Sequence, residues 1–284
     1  VLLEAAVDAL AVRPGGFYVD ATYGRGGHSR AIASRAPGVR VLAIDADADA
    51  PQPQAGAIEL VHANFSGLGD LLDARGIERV DGVLFDFGVS SPQLDRPERG
   101  FSFQADGPLD MRLDRTAGER AYDLLATRTE GELADIFFRY GEERASRRIA
   151  RAIVADRERG TLQDSTAWLA GLLVRLSGGP RGRIHPATRV FQGLRIAVND
   201  ELGAIERGLG AAIERTREGG RIAAISFHSL EDRIVKQRFR ADARVRALTK
   251  KPIVADRAEQ SRNPRSRSAK LRAAEVIAGE GSAG

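Results

Sequence analysis

No cysteine occurs in the 284 residues, and there is a single methionine and a single tryptophan. Without thiols the chain has no disulfide scaffold, no Cys-ligated zinc or iron–sulfur centre and no cysteine nucleophile. Long apolar runs are missing as well. None approaches the roughly 18–20 residues that a membrane-spanning helix needs, and nothing at the start has the form of a signal peptide. The cytoplasm is therefore the expected compartment. The chain opens at Val1 rather than at methionine, so a short preceding piece is expected. Lysine is scarce, with four among the 43 basic residues; a coding bias explains this, and nothing functional is read from it. What is present, 43% hydrophobic and 29% charged residues, describes an ordinary globular chain of one large domain or two modest ones.

The net charge of +4 hides an asymmetry. Between Arg233 and Arg272 stand 14 basic residues against three acids, Asp242, Asp256 and Glu259. That block is an electrostatic footprint suited to a polyanion, because each phosphate contact releases condensed counterions. A solvated basic tail is the alternative.

Short β-like runs alternate with helical ones over the first 90 residues or so. Phe17–Ala21, Arg40–Ile44, Glu59–His62 and Gly82–Phe85 read as strands, three of them running into or past an acid: Asp20, Asp45 and Asp86. His28–Ser34 reads as the start of a helix. This order predicts an α/β fold with a mostly parallel sheet and helices on both faces. Further strands are expected at Arg221–Ser226 and Ala269–Val276. Between Asp86 and Arg221 lie helical patterns over Glu130–Tyr140, Glu142–Arg159, Ser165–Leu176 and Ala187–Thr216, with a loop at Pro180–Pro186. An ordinary crossover needs only a dozen or so residues and one helix. The simplest architecture therefore has an all-helical domain, residues 96–205, inserted into an α/β domain made of residues 1–95 and 206–284. A Pro-rich connector, Ala50–Gly56, follows the second strand.

Parallel sheets bind ligands beyond the carboxyl ends of their strands. There the first strand runs into Asp20-Ala-Thr-Tyr-Gly24-Arg-Gly26-Gly27-His28-Ser29. Glycines allow a positive φ and a close approach of backbone to ligand, and the helix start offers free N–H groups. A tight strand–helix turn with no ligand explains the cluster about equally well. Asp45 stands where a carboxylate accepts hydrogen bonds from ribose hydroxyls. Ser29 occupies the place of the third glycine in a dinucleotide fingerprint, so the pattern suits an adenosyl group without pyrophosphate, such as that of S-adenosylmethionine. The fourth strand delivers Asp86-Phe-Gly88-Val-Ser90-Ser91-Pro92-Gln93. An acid followed by a Ser-Ser-Pro turn resembles the turn that amino-methyltransferases place beside the methyl group. An exocyclic base amine is a poor nucleophile, and acceptors at its N–H bonds bias it toward attack. Serines that merely satisfy the backbone are the alternative reading.

Taken together, Tyr23–Ser29, Phe87–Gln93, Glu98–Met111, Tyr140–Arg144, His185–Gln192, Ile225–Val235 and Asn263–Ser268 resemble the bacterial S-adenosylmethionine-dependent 16S rRNA cytosine-N4 methyltransferases, the RsmH or MraW family. The resemblance runs over residues 1–277. It implies a class I, Rossmann-like methyltransferase domain with an inserted helical substrate-recognition domain. It also implies that the cofactor S-adenosylmethionine is held by Gly26, Gly27, His28, Asp45, Phe65, Asp86 and Gln93. Asp86, Ser91 and Pro92 are then expected to position the target amine. The implied partner is 16S rRNA in the small ribosomal subunit, at the decoding region; a homodimer is left open, and no metal is needed. Phe85 and Phe87 stand where smaller aliphatics are common in the family.

His28 reads as a cofactor donor or a helix cap, and His228 as substrate-facing or structural in equal measure. His185 reads as a loop residue, Tyr122 and Trp168 as core or interface, and Asp106 and Asp110 as turn formers. Two other functions compete: a small-molecule methyltransferase and a non-catalytic RNA-binding assembly factor. The first leaves the C-terminal basic block unexplained, and the second leaves the set of acids and glycines without a purpose. A carbon-5 cytosine methyltransferase is excluded, because that chemistry needs a cysteine nucleophile.

Overall fold

The computed structural model describes residues 1–54, 56–178 and 185–278. The chain begins with α1 (Leu3–Leu10), β1 (Phe17–Asp20), α2 (Gly27–Arg35), β2 (Arg40–Asp45), β3 (Ile58–His62), α3 (Leu68–Asp73) and β4 (Val80–Asp86). Side chains on these strands alternate between two buried faces. Val19, Leu42, Ile44, Val83 and Phe85 join one apolar cluster with Leu68 and Leu72 of α3. Tyr18, Val41, Ala43 and Leu84 join the other, with Val7 and Leu10 of α1 and Ile32 of α2. Period-two alternation with both faces covered is why the strands read as unbroken apolar runs. Gly82 is needed where it stands: a Cβ there would lie 2.7 Å from the Arg221 carbonyl oxygen.

The chain then enters a second compact unit, Val89–Glu201. It holds α4 (Ser91–Asp95), α5 (Ala121–Thr127), α6 (Glu130–Arg139), α7 (Ser146–Glu158), α8 (Thr166–Ser177) and α9 (Ala187–Asn199). Starts are marked by side-chain caps: Thr129 accepts from the Glu132 N–H and Ser165 from the Trp168 N–H. Leu133 and Phe137 of α6, Ile149 and Ile153 of α7, Leu169 and Leu173 of α8, and Val190 and Leu194 of α9 form its core. Each pair is one helical turn apart, which buries a single stripe. Tyr122 and Trp168 pack against this core. Asp106 accepts from the Ser165 hydroxyl and the Ala167 N–H at 2.7 and 3.1 Å, which is a turn-and-cap role. The helix expected from Glu142 starts only at Ser146, because Glu142 adopts a left-handed φ of 51°. The long pattern over 187–216 is two helices, broken at Asp200 with φ 46°. The expected loop Pro180–Pro186 falls mostly outside the described residues.

The chain returns through α10 (Glu201–Arg215), β5 (Thr216–Ser226), α11 (Ser229–Ala241), β6 (Val245–Ala247), β7 (Ile253–Val254), α12 (Arg257–Arg262) and β8 (Lys270–Val276). The sheet order is β3-β2-β1-β4-β5-β8-β6, with β7 beside β8. β1 to β5 are mutually parallel where they pair. β8 runs antiparallel to β5. This α/β sheet, mostly parallel, is what the alternation of strands and helices in the sequence predicted, and it agrees with the class I methyltransferase layout that the family resemblance implies. Val1–Gly88 and the described chain from Leu202 form one compact unit. The breaks fall after Gly88 and Glu201, somewhat earlier than residues 95 and 205. Among the described residues no helix is long and apolar enough to cross a membrane.

Candidate active site

Because β1, β2 and β4 are parallel neighbours, Asp20, Asp45 and Asp86 end their strands on one edge of the sheet. Each carboxylate is used differently. Asp20 is fully buried, accepting the Ser29 hydroxyl at 2.6 Å and the Thr22 N–H at 3.3 Å. It thereby staples the strand end to the first turn of α2. Burial raises its pKa, and the Ser29 bond works against that rise. Asp45 accepts the Gly24 N–H at 2.6 Å and the Asp47 N–H at 2.8 Å, so it holds the glycine turn from the neighbouring strand. Burial raises its pKa too, and those backbone donors oppose the rise.

Asp86 is different. Its backbone N–H donates to the Thr22 hydroxyl at 2.6 Å, which ties the β4 end to the glycine loop. Its side chain keeps about a fifth of its surface, 21%. Oδ1 is sealed from solvent with no hydrogen-bond partner, while Oδ2 lies 3.6 Å from His28 Nδ1. Burial pushes the Asp86 carboxyl up to about 6, and His28 pulls against that rise. Burial also lowers the pKa of His28, with Asp86 opposing, so the imidazole is neutral at pH 7. His28 Nε2 lies 3.1 Å from the Val1 carbonyl, an acceptor only, so Nε2 carries the proton. This tautomer is assigned from the hydrogen bond. Nδ1 is then a lone pair facing a carboxylate oxygen. The Val1 ammonium lies 4.0 Å from the same Oδ2, so the acceptor left without a partner is Oδ1.

The glycine turn supplies the space. Gly26 takes φ 70°, and a Cβ on it would come 2.6 Å from the Tyr23 ring. Only glycine closes the turn there. Gly27 begins α2, and a Cβ on it would meet nothing within 4 Å; the same holds at Gly24. The protein's own packing therefore does not require glycine at position 27. Open space beside the first turn of α2, the Asp45 carboxylate, whose oxygens each accept one backbone N–H and keep further lone pairs, and the part-exposed Asp86 carboxylate fit a ligand carrying hydroxyl and ammonium donors. S-adenosylmethionine is such a ligand.

The structure thus brings together Gly26, Gly27, His28, Asp45 and Asp86. Phe65, half-buried, stands in an aromatic cluster with its ring 5.6 Å from Phe85 and 5.8 Å from Phe87. The two phenylalanines that flank Asp86 are therefore packing partners. Ser91, Pro92 and Gln93 belong to the helical unit. Gln93 is buried and accepts the Ser90 N–H at 2.8 Å, closing a capping box at the start of α4, with Ser91 exposed and Pro92 in the first turn. Sequence reasoning missed Thr22 and Tyr23, since nothing in the pattern marks a hydroxyl or a ring as part of a turn. It also missed Glu231, which accepts the Phe227 and His228 N–H groups at 2.7 and 3.3 Å. Its signal was legible: His-Ser-Leu-Glu is a capping box with histidine in the cap position.

The family model of the MraW methylases matches residues 1–277. The chain belongs to the MraW methylase family. Similar relatives carry the name ribosomal RNA small subunit methyltransferase H. The one from Thermomicrobium roseum is 50% identical, over 99% of this chain and 94% of its own. The one from Bradyrhizobium diazoefficiens is 48% identical, over 97% and 90%. That from Beijerinckia indica is 50% identical, over 96% and 83%. Among solved structures, an rRNA methylase from Streptococcus thermophilus is 12% identical over 98% of both chains, with a TM-score of 0.40. The acid–glycine constellation of this chain sits at the carboxyl ends of the strands, where open parallel sheets bind their ligands.

Proposed function

We propose that the protein methylates small-subunit rRNA using S-adenosylmethionine, and that its target is the exocyclic N4 amine of a cytidine in the decoding region of 16S rRNA. The observation that carries this reading is Asp86: a carboxylate at a strand end, one oxygen sealed and unmatched, the other facing the lone pair of a neutral histidine. When bound, the cofactor would supply an electrophilic methyl on a sulfonium, whose S–CH3 bonding pair stays with the sulfur as a neutral thioether. The chain's own residues do the rest. The turn from Gly24 to Gly27 leaves the space, and Asp45 offers oxygens to ribose hydroxyls. Asp86, ionised above pH about 6, accepts from the amine N–H. That contact draws the nitrogen lone pair out of conjugation and stabilises the positive charge that develops as the N–C bond forms. The proton that the amine loses goes to the Asp86 carboxylate. Ser91 and Pro92 are assigned to presenting the base, on the grounds of their sequence position after Asp86. A looped-out base costs less to extract than a paired one, which suits an rRNA loop.

Charge supports a polyanionic substrate. Within the basic block Arg244 is paired with Asp242, Arg246 with Glu275, and Arg272 and Lys270 with Asp232. Lys250, Lys251, Arg257, Arg262 and Arg267 are exposed and have no ion pair among the described residues. A small-molecule substrate gives no reason for these free cations.

The test uses small subunits from a strain lacking this enzyme, with naked 16S rRNA alongside and methyl-labelled cofactor, followed by nucleoside analysis. Label on cytosine N4 is expected from the subunits. Label on another atom, or none while the cofactor still binds, overturns the reading.

A further inference from the structure

The stretch Tyr140–Arg144 joins α6 to α7. Four of its five residues build the corner between α6 and α7. The Tyr140 carbonyl accepts from Gln192 Nε2 at 2.9 Å. Gly141 has no room for a Cβ, which would lie 2.4 Å from the Arg189 carbonyl oxygen. Glu142 takes the left-handed turn, and Glu143 accepts the Ala145 N–H at 2.7 Å. Arg144 takes no part in the corner.

Arg144 instead lines a cavity of about 710 Å³ within the helical unit, together with Phe138, Asp135, Arg147 and Arg148. Phe138 is 59% exposed, more than any other large apolar side chain described. Its neighbour Phe137 is fully buried in the core, so the helix already has its apolar stripe and Phe138 adds nothing to folding. The three arginines are exposed and make no ion pair among the described residues. The one acid in the lining, Asp135, faces Arg139 at 3.4 Å. Arg147 and Arg148 moreover stand in the first turn of α7, which has no acidic residue and no side-chain cap. Cations there oppose the helix dipole at a small cost each. Local rules broken without a structural gain mark a functional surface.

We propose that this cavity binds a single-stranded segment of the RNA substrate, with one base stacked on the Phe138 ring and flanking phosphates on Arg144, Arg147 and Arg148. An exposed aromatic ring among free arginines matches the two things a single strand offers, base faces and a phosphate chain. The inference rests on the rRNA reading above and adds a contact site in the helical unit.

Two variants test it in the intact 284-residue chain, Phe138→Ala and the triple Arg144→Ala, Arg147→Ala, Arg148→Ala, titrated with a decauridylate oligonucleotide and with unmethylated small subunits. Losing one base stack should weaken oligonucleotide binding about tenfold or more. The triple variant should lower the slope of log Kd against log salt by about 2, since each single-strand phosphate contact contributes roughly 0.7. KM for subunits should rise in both, with cofactor affinity unchanged as the check on folding. Phe138→Trp should restore binding and report it, its fluorescence quenched as a base stacks. Unchanged oligonucleotide affinity and salt slope overturn the inference. So does a loss confined to intact subunits, which assigns the face to a ribosomal protein. Failure of the underlying reading looks different: the unaltered chain then transfers no label to subunits, while the oligonucleotide titration still decides the role of the cavity.

Discussion

Asp86 is held in a state that folding alone does not favour. Its carboxyl titrates near 6 in the folded chain against an ordinary value of 3.8. Below pH ~4 it is protonated in both states and neutral for stability. As pH rises through about 4 to 6, the folded chain retains a proton that the unfolded chain releases, so stability falls. Above pH 6 the full penalty applies, on the order of 2–3 kcal/mol. Asp86→Asn should therefore raise the melting temperature at pH 8 and flatten its dependence between pH 4 and 7, even as it removes the acceptor needed for transfer. A lower melting temperature at pH 8 would show that the charge is structurally required. Ser29 makes the opposite case. Its hydroxyl serves the buried Asp20, so Ser29→Ala should cost about 1–3 kcal/mol in denaturant unfolding. The three acids were legible in the sequence as strand ends. Their division of labour was not, because which oxygen meets an N–H and which is sealed depends on the loop's path through Thr22 and Ser29.

The glycine turn allows packing and ligand space to be separated. Gly26→Ala should destabilise the fold by about 1–2 kcal/mol, through its positive φ and the Tyr23 ring. Gly27→Ala meets no protein atom within 4 Å and should fold at least as stably, since alanine outranks glycine in a helix. Its cofactor affinity should nonetheless fall tenfold or more in a calorimetric titration, because the added methyl enters the space assigned to the ligand. Unchanged affinity would place the ligand elsewhere. Strands buried on both faces, such as Arg40–Asp45, were readable as apolar runs, and α8 as a stripe of leucines. The break at Asp200 was hidden, since the apolar spacing continues across it and only the backbone φ reveals the turn. Strands β6 and β7 were missed because two or three residues of edge strand carry no periodic signal. Phe65 is expected among the residues that hold the cofactor, and its ring is partly engaged with Phe85 and Phe87, a partnership that only the tertiary fold reveals.

Across the molecule, charge is arranged so that part of the basic block neutralises itself and part stays free. Counting arginines along the sequence could not separate these populations, because Asp232 lies 40 residues from its partner Arg272. Replacing Lys250, Lys251, Arg257, Arg262 and Arg267 together with glutamine should weaken binding to small subunits and lower its salt slope, by ~0.7 per lost single-strand phosphate contact. Thermal stability should change little, since none of the five makes an ion pair among the described residues. A large loss of stability with no change in salt slope would contradict the assignment of these side chains to a polyanion. The central claim, that Asp86 is the acceptor for the attacking amine, is tested most directly by single-turnover label transfer to unmethylated small subunits. Rates would be measured at saturating cofactor from pH 5 to 9, for the native chain and for Asp86→Asn. The account predicts a native rate that climbs to a plateau above pH about 6, and a variant that, even when saturated with cofactor, transfers at least a hundredfold more slowly at every pH. A variant that keeps the native rate and profile would contradict it.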